Sequence, residues 1–332
     1  MKDARERSVW LDGLRIHVRE VGQGPPVLLL NGVAADTGMW ARLEAAFDGF
    51  HLISFDAPGA GRSPAPLVPV PIARLARLAT LVLDTVGVQQ ADVIGYSMGG
   101  IVAQQLAADA PERVRRVVLA GTTCGLGAIP GDPLAMLHLL VPARYLSPRI
   151  YARTIGGIVG GPARHDRAVV ADLLAVRLRR VSIRGYLGQM LSLSRWTGLP
   201  LLARIPHPTL VVSGDDDPLS PPANAMLLTR LLPQARMVVA PGEGHLLFMS
   251  AQSPVLRPIR EFLAAESLDD AAVWREAAGV TDKELRAAIP SLRSQAQPWG
   301  VIGVVFRRRW LSRAVPVGVD PRDPSALQRR PQ

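Results

Sequence analysis

The residues best suited to chemistry lie in the segment 95–100, which reads Gly-Tyr-Ser-Met-Gly-Gly. The segment follows an apolar run at 91–94 and precedes a helix-forming stretch, a context that is typical of a tight strand-to-helix turn. Such a turn holds its serine in a strained backbone conformation, and the flanking glycines leave room for the neighbouring strand and helix. A serine hydroxyl is a weak nucleophile without a base within hydrogen-bond reach. The pattern therefore predicts Ser97 as a nucleophile served by a nearby base.

The general base is expected late in the chain, after a strand. His245 ends the glycine-containing segment 241–245, which follows the apolar run 237–240. The other histidines stand in or beside predicted strands, or in a segment predicted to cover the site; they are His17, His51, His138, His165 and His207. His207 falls just before a strand, at the end of the sheet opposite the nucleophile. His245 is therefore the predicted base.

An acid that orients this histidine is expected after the strand predicted at 208–213. Asp215, Asp216 and Asp217 follow Gly214 there, and three adjacent carboxylates cannot all face one imidazole. In folds that carry a serine on such a turn, the acid typically stands third after the strand-ending glycine, which favours Asp217 and leaves Asp216 second. The order serine, aspartate, histidine along the chain is typical of the same fold.

Two backbone N–H groups are needed to stabilise the charge that develops on a substrate carbonyl oxygen. Met98, the residue after the nucleophile, is predicted to supply one of them. Val33 is predicted to supply the other, because it follows the apolar run 26–30 and the preceding Gly32 permits close backbone approach. The glycine-containing turn at 56–63 opens no helix and is interpreted as structural rather than as a dinucleotide-binding loop.

Apolar runs alternate with helix-forming stretches up to residue 265, which predicts an α/β fold with a mostly parallel central sheet and helices on both faces. Strands buried on both faces are predicted at 26–30, 51–55, 91–94, 114–120 and 208–213. Residues 15–20 alternate apolar and polar side chains and are predicted as a half-exposed edge strand. Helices are predicted at 39–47, 72–86, 98–109, 223–232 and 247–265.

The order of these elements divides the chain into a core and additions. Residues 8–121 and 206–265 are predicted to form the core. Residues 122–205 are too long for a simple crossover and are predicted to form a cap over the site. The apolar side chains of this cap either line a dry acyl pocket or form a small core of their own. Residues 266–311 are predicted as a C-terminal extension, and the proline- and arginine-containing stretch 312–332 as a disordered tail.

The formal net charge of +10 comes from arginine, since lysine occurs only at Lys2 and Lys283. Because such a skew can reflect genomic coding bias, no nucleic-acid partner is predicted. The single cysteine, Cys124, excludes an internal disulfide, and the six histidines are too scattered for a metal site. No cofactor is predicted. The charged start of the chain and the lack of a long apolar run predict a cytoplasmic protein.

Taken together, the motifs resemble those of the alpha/beta-hydrolase superfamily over about residues 8–265; they are Asn31-Gly32, the 56–63 turn, the Ser97 turn, 214–217 and Gly244-His245. Several stretches also resemble the intracellular poly(3-hydroxyalkanoate) depolymerases that act on medium-chain polyester; they are 55–59, 103–107, 111–113, 142–145 and 214–219. The resemblance implies the alpha/beta-hydrolase fold, with Ser97, Asp217 and His245 as a catalytic triad.

Three functional hypotheses follow. In the first, Ser97 attacks a carboxylic ester of an apolar acyl group, small or polymeric, and water resolves the acyl-enzyme. In the second, the same triad cleaves a carbon–carbon bond or transfers the acyl group to an acceptor other than water. In the third, the chain is a catalytically silent binding protein on the same scaffold.

The segment 298–311 combines apolar side chains with a basic cluster at 307–309. On a helix, Trp299, Ile302, Phe306 and Trp310 fall near one face. This pattern predicts either peripheral contact with a lipid or polyester surface, or docking of the apolar face on the catalytic domain. The sequence predicts no particular oligomeric state.

Overall fold

A computed structural model describes residues 4–140, 147–171, 182–248 and 253–293. The strands in this part are β1 (Ala4–Leu11), β2 (Leu14–Val21), β3 (Pro26–Leu30), β4 (His51–Phe55), β5 (Ala91–Tyr96), β6 (Val114–Ala120), β7 (Thr209–Gly214) and β8 (Ala235–Ala240). They form an eight-stranded sheet in the order β1-β2-β4-β3-β5-β6-β7-β8. β2 pairs antiparallel with both β1 and β4, and the remaining pairs are parallel. The predicted mostly parallel sheet is confirmed.

The edge position predicted for residues 15–20 is wrong, because β2 lies inside the sheet between β1 and β4. β1 forms that edge instead, and its charged side chains are exposed along most of the strand. Asp12 and Gly13 join β1 to β2, and both have positive φ, at 48° and 73°. An Asp-Gly pair between two strands is a strong hairpin signal, so turn chemistry identifies β1 where hydropathy does not.

Helices cover both faces of the sheet. Those described are α1 (Ala41–Ala46), α2 (Ile72–Thr85), α3 (Met98–Asp109), α4 (Pro133–Leu140), α5 (Pro148–Val159), α6 (Ile183–Ser194), α7 (Leu199–Leu202), α8 (Pro222–Leu231), α9 (Leu256–Ala264), α10 (Ala272–Glu276) and α11 (Asp282–Arg293). Buried residues of α2, α3 and α8 share one hydrophobic cluster with the sheet. Buried residues of α1, α9 and α10 share a second cluster on the opposite face. Apolar side chains are therefore buried between the helices and each face of the sheet, and burial of apolar surface is the main contribution to the stability of such folds.

The helix predicted at 247–265 begins later than expected, at Leu256. Pro254 disfavours a helical conformation in the residue before it, which explains a boundary in this region. The hydroxyl of that residue, Ser253, donates a hydrogen bond to the Leu247 carbonyl. Leu247 and Phe248 belong instead to the loop that follows β8, and both are buried.

The chain between β6 and β7 contains α4 to α7. Ser147 caps α5 by accepting a hydrogen bond from the Ile150 N–H, and Ser182 caps α6 by accepting one from the Gly185 N–H. The Tyr186 hydroxyl on α6 donates to the Leu139 carbonyl on α4. α4 and α6 are thus tied to each other, whereas the extent 122–205 of a separate cap stays a prediction.

The first part of the predicted C-terminal extension packs against the core. Trp274 of α10 is buried and stacks on Phe262 of α9 with 5.3 Å between ring centroids. The Arg236 guanidinium lies 5.5 Å from the centre of the Trp274 ring. Met237 of β8 exchanges two backbone hydrogen bonds with Ala278, at 2.8 and 3.1 Å. Residues 298–311 and the tail 312–332 lie outside the described residues, as does the end of the extension.

Within the described ranges, none of the helices combines the length and the apolar character that crossing a membrane requires.

The stacking of Trp274 gives a test of how firmly the extension is joined to the core. Trp274→Ala should lower the free energy of unfolding by about 3 kcal/mol, because it removes a large buried ring and leaves a cavity. Trp10 is 74% exposed on β1 and provides a matched control, so Trp10→Ala should change stability little. Denaturant unfolding measures both variants. A loss of unfolding free energy for Trp274→Ala as small as that for Trp10→Ala would show that the stacking contributes nothing to stability.

Candidate active site

Ser97 occupies the turn between β5 and α3 with φ 53° and ψ −116°. The turn is tight because a Cβ at Gly99 would lie 1.9 Å from the Leu30 carbonyl oxygen, and one at Gly100 would lie 2.6 Å from the Thr122 side chain. The Thr122 hydroxyl donates to the Ser97 carbonyl at 2.7 Å and fixes the turn from the β6 side. The local sequence thus forces the serine into the strained backbone conformation that the pattern predicts.

His245 lies in the loop after β8, and both of its ring nitrogens are engaged. Nε2 is 3.1 Å from Ser97 Oγ, and Nδ1 is 2.8 Å from Asp217 Oδ2. In a neutral ring with its proton on Nδ1, that N–H donates to Asp217 and Nε2 accepts from the serine hydroxyl. The His245 backbone N–H donates to the Val159 carbonyl at 2.6 Å. The end of α5 therefore holds the histidine loop in place.

The three adjacent aspartates have three different partners. Asp217 presents Oδ2 to His245, and its Oδ1 accepts from the N–H groups of Leu219 and Ser220, each at 2.9 Å. Because Asp217 is buried and hydrogen-bonded on both oxygens, its orientation is fixed. The structure brings Asp217, and neither Asp215 nor Asp216, to the histidine.

Asp216 faces the segment between β6 and β7. It accepts from the Gly161 N–H at 2.7 Å and from Arg164 Nε and Nη2 at 2.6 and 3.0 Å. The Arg164 guanidinium lowers the pKa of Asp216, so this pairing is lost only as the pH falls through that lowered pKa. Asp215 accepts instead from the Gly242 N–H at 2.7 Å. These two acids position loops around the site.

The predicted oxyanion donors lie on two loops that border the same cavity. Val33 and Met98 both line the space next to Ser97. The loop of Val33 begins at Asn31, whose Oδ1 accepts from Trp40 Nε1 at 2.6 Å and whose Nδ2 donates to the Phe55 carbonyl at 3.0 Å. These buried bonds hold the start of the loop. The role of Val33 and Met98 as donors stays a prediction.

The 56–63 turn braces this loop from the neighbouring strand. The Asp56 carboxylate accepts from the backbone N–H groups of Thr37 and Arg62, at 2.7 and 2.8 Å. Burial raises the pKa of Asp56, while these two donors act in the opposite direction. A Cβ at Gly61 would lie 2.2 Å from Asp56 Oδ2, which explains the glycine. The turn is built as a brace, in line with its structural interpretation.

A cavity of about 470 Å³ adjoins Ser97 and His245. Its wall is mostly apolar and comes from the loop after β6 and from α4, α5 and α6; the contributors include Leu126, Met136, Leu139, Leu140, Ile158, Met190 and Leu193. No lysine or arginine of the described residues is among those that line it. Within the same residues, no group of three or more histidine, cysteine, aspartate or glutamate side chains could hold a metal ion.

Sequence reasoning missed the polar contacts from the β6–β7 segment to the site. The Gln189 side chain on α6 bonds the backbone of Ala34, a residue 155 positions away, and Arg164 bonds Asp216 over 52 positions. No local pattern signals such pairs, because each depends on how a distant helix packs. In the sequence, the contact of Gln189 is indicated only by the presence of a glutamine within an apolar helical stretch. That pattern does not identify Ala34 as the partner.

Comparisons with known proteins agree with this architecture. A family model described as alpha/beta hydrolase fold matches residues 25–181, and one described as TAP-like protein matches residues 199–273. The chain is 36% identical to a poly(3-hydroxyalkanoate) depolymerase of Ectopseudomonas oleovorans over 73% of this chain and 85% of that protein. This chain belongs to the alpha/beta-hydrolase family. The predicted fold and the predicted resemblance are therefore confirmed.

Further relatives of this hydrolase differ in the reactions for which they are named. A 2-hydroxy-6-oxo-6-phenylhexa-2,4-dienoate hydrolase of Burkholderia cepacia is 29% identical over 71% of this chain and 86% of that protein. The crystal structure of an enol-lactonase from Burkholderia xenovorans LB400 is 26% identical, with a TM-score of 0.69 over 78% of this chain and all of that chain. The hydrolase class is common to them, and the substrate is not.

The geometry predicts a large loss of kcat on substitution of Asp217 and a small one on substitution of Asp216. Asp217→Asn should lower kcat by up to about 10⁴-fold, because the amide favours the wrong histidine tautomer and leaves the imidazolium uncompensated. Asp216→Asn should lower kcat less than about tenfold, since its partner Arg164 is partly exposed and such pairs contribute little. Steady-state hydrolysis of a 4-nitrophenyl ester compares the two. A larger loss for Asp216→Asn would move the orienting acid by one position.

Proposed function

We propose that this hydrolase is a serine-dependent carboxylic ester hydrolase with Ser97 as nucleophile, His245 as base and Asp217 as orienting acid. The observation that carries the proposal is the unbroken hydrogen-bonded series from Ser97 Oγ to His245, at 3.1 Å, and from His245 to Asp217, at 2.8 Å. The series opens onto an apolar cavity. Nucleophile, base and orienting group in such contact are what acyl transfer to serine requires.

The reaction begins when Ser97 Oγ attacks the carbonyl carbon of the ester and His245 Nε2 takes the hydroxyl proton. The Asp217 carboxylate accepts from Nδ1–H and thereby stabilises the imidazolium. The N–H groups of Val33 and Met98 stabilise the negative charge on the tetrahedral oxygen. The C–O bond to the alcohol then breaks, and the alcohol leaves with the proton from His245. Water, deprotonated by the same histidine, then attacks the acyl-enzyme. The bond from the acyl carbon to Ser97 Oγ breaks, His245 returns the proton to Oγ, and the acid leaves.

The cavity supports an apolar, uncharged acyl group as the substrate class. Its wall is mostly apolar, with leucine, isoleucine and methionine side chains beside a few hydroxyl groups, and without a lysine or arginine among the described lining residues. An uncompensated carboxylate in such surroundings would carry a large desolvation cost. The dienoate named for the Burkholderia cepacia relative is a carboxylate. The lining therefore favours ester hydrolysis of neutral acyl chains over carbon–carbon cleavage of a dienoate.

The surface around the cavity supports a substrate in the form of an apolar aggregate. Leu134, Leu137 and Leu140 of α4 are 60%, 55% and 57% exposed, and Leu140 also lines the cavity. An exposed apolar surface continuous with an active site is typical of contact with another apolar surface. Together with the similarity to a poly(3-hydroxyalkanoate) depolymerase, this supports a medium-chain polyester as a substrate. In this proposal, residues 122–205 act as a cap, and contact through 298–311 stays a prediction.

Covalent labelling tests the nucleophile directly. A fluorophosphonate should label the wild-type protein at Ser97 and leave Ser97→Ala unlabelled, because the hydroxyl is the attacking group. The variant should unfold at the same denaturant concentration as the wild type within error, since the change removes one oxygen from a partly exposed side chain. Labelling of Ser97→Ala, or ester turnover within tenfold of the wild type, would contradict the assignment.

Acyl chain length tests the cavity. Hydrolysis of 4-nitrophenyl esters should rise with chain length into the medium range, and Met190→Trp should shift the maximum to shorter chains by filling the cavity. Leu187 lies on the same helix, outside the cavity and 49% exposed, so Leu187→Trp is the matched control and should leave the maximum unchanged. A wild-type enzyme that cleaves the dienoate and none of the esters would establish carbon–carbon hydrolysis instead.

A further inference from the structure

The Gln189 carboxamide joins α6 to two loops of the core. The side chain is 5% exposed. Its Oε1 accepts from the Ala34 backbone N–H at 2.8 Å, and its Nε2 donates to the Pro58 carbonyl at 3.2 Å. Ala34 lies in the loop after β3, and Pro58 lies in the loop after β4. The two polar ends of one buried side chain thus bond two different loops, and the loop of Ala34 borders the cavity next to Ser97. This is more than packing of the helix requires.

The bond to Ala34 acts on a strained turn. The Ala35 N–H donates to the Gly32 carbonyl at 3.2 Å, which closes a β-turn over residues 32–35. Ala34, the third residue of this turn, has φ 56°. A type II turn needs a positive φ at that position and normally has glycine there, so alanine makes this conformation costly. The alternative type I turn would reverse the direction of the Ala34 N–H. A fixed acceptor on that N–H therefore selects one of the two turn conformations.

The Val33 N–H has the same direction in both turn types, because the peptide that flips between them joins Val33 to Ala34. The Gln189 bond therefore acts on the Val33 N–H by fixing where the turn lies. The C=O of Gly32 and the N–H of Val33 belong to one peptide unit, and in a trans peptide the two point in opposite directions. Since the Gly32 carbonyl points into the turn, the Val33 N–H is directed away from it. Val33 also borders the cavity next to Ser97. The position at which the turn is held thus sets whether this N–H reaches a substrate oxygen.

We infer that Gln189 is a positioning residue for the oxyanion hole: its carboxamide holds the 32–35 turn at the position from which the Val33 N–H reaches a substrate oxygen. The inference rests on the proposed function, because it assigns the N–H of Val33 to the tetrahedral oxygen. Misplacing such a donor by about 1 Å costs on the order of 100-fold in rate. Deleting a donor outright costs about 10²- to 10³-fold.

The helix that carries Gln189 is fixed firmly enough to serve as a support. A Cβ at Gly185 would lie 2.1 Å from the Gly59 carbonyl oxygen, so the two backbones are in direct contact there. The Ser192 hydroxyl donates to the Val70 carbonyl at 2.7 Å. Gly185, Gln189 and Ser192 are spaced by four and three residues and share one face of α6. Gln189 is the central one of three attachments, and it is the one of these three that bonds the 32–35 turn.

Two substitutions of Gln189 separate positioning from packing. Gln189→Met keeps the length and volume of the side chain and removes both polar ends. It should lower kcat by about 10- to 100-fold with KM changed less than about threefold, because the lost interaction acts on the transition state. Gln189→Glu keeps an acceptor for the Ala34 N–H and should recover part of that loss. Ser192→Ala, which cuts a different attachment of the same helix, is the control and should leave kcat within threefold of the wild type.

Binding of a medium-chain alkylboronic acid gives a readout that a merely structural role would not move. Its serine adduct is tetrahedral and carries an oxygen in the oxyanion hole, so its inhibition constant should rise for Gln189→Met by the same factor by which kcat/KM falls. Active-site titration with a fluorophosphonate corrects for any unfolded fraction. A Gln189→Met variant that raises KM alone, or that matches Ser192→Ala in both readouts, would overturn the inference.

Hydrogen exchange distinguishes failure of this inference from failure of the proposed function. The amide of Ala34 should exchange faster in Gln189→Met than in the wild type and in Ser192→Ala, whatever reaction the enzyme catalyses. If the wild type neither hydrolyses esters nor binds the boronic acid, the proposed function is wrong. If esters are hydrolysed and exchange at Ala34 is unchanged in Gln189→Met, the positioning role of Gln189 is wrong.

Discussion

At Ser97 the chain passes from β5 into α3 with φ 53° and ψ −116°, a backbone conformation that costs on the order of 1–3 kcal/mol in a residue with a side chain. The conformation persists because strand and helix pack too closely for another path. A Cβ at Gly95 would lie 2.5 Å from the Gly99 carbonyl oxygen, and one at Gly99 would lie 1.9 Å from the Leu30 carbonyl oxygen. Once the serine is fixed in this way, Val33, Asp217 and His245 have to be brought to it by loops that follow other strands of the sheet.

The segment between β6 and β7 holds those loops as well as enclosing the cavity. The Val159 carbonyl accepts from the His245 N–H, Arg164 pairs with Asp216 beside Asp217, and Gln189 bonds Ala34 beside Val33. Each contact reaches a different loop of the site. Loops at the carboxyl ends of parallel strands have few bonds of their own, so supports from outside the sheet stabilise their geometry. The segment between β6 and β7 therefore both encloses the cavity and holds the loops of the site in place.

The sequence predicts those features whose cause is local. The strand at 51–55 and the helix at 98–109 appear with the expected bounds, because continuous burial and the strand-turn-helix pattern are written in adjacent residues. β1 was not predicted, because its charged side chains give no hydrophobic pattern. Its pairing with β2 is indicated only by the Asp-Gly turn between the two strands. The contact of Gln189 with Ala34 spans 155 positions and depends on the packing of α6, so no window of sequence contains it.

The position of α6 links the width of the cavity to the geometry of the site. Successive residues on a helix are about 100° apart, so Gln189 and Ser192 face the core while Met190 and Leu193 line the cavity. A shift of the helix would change the width of the cavity and move the acceptor of the Ala34 N–H at the same time. A side-chain exchange at Met190 changes only the width. The width of the cavity can therefore vary by substitution on the cavity face of α6, whereas the contact of Gly185 with Gly59 restricts any change that moves the helix as a whole.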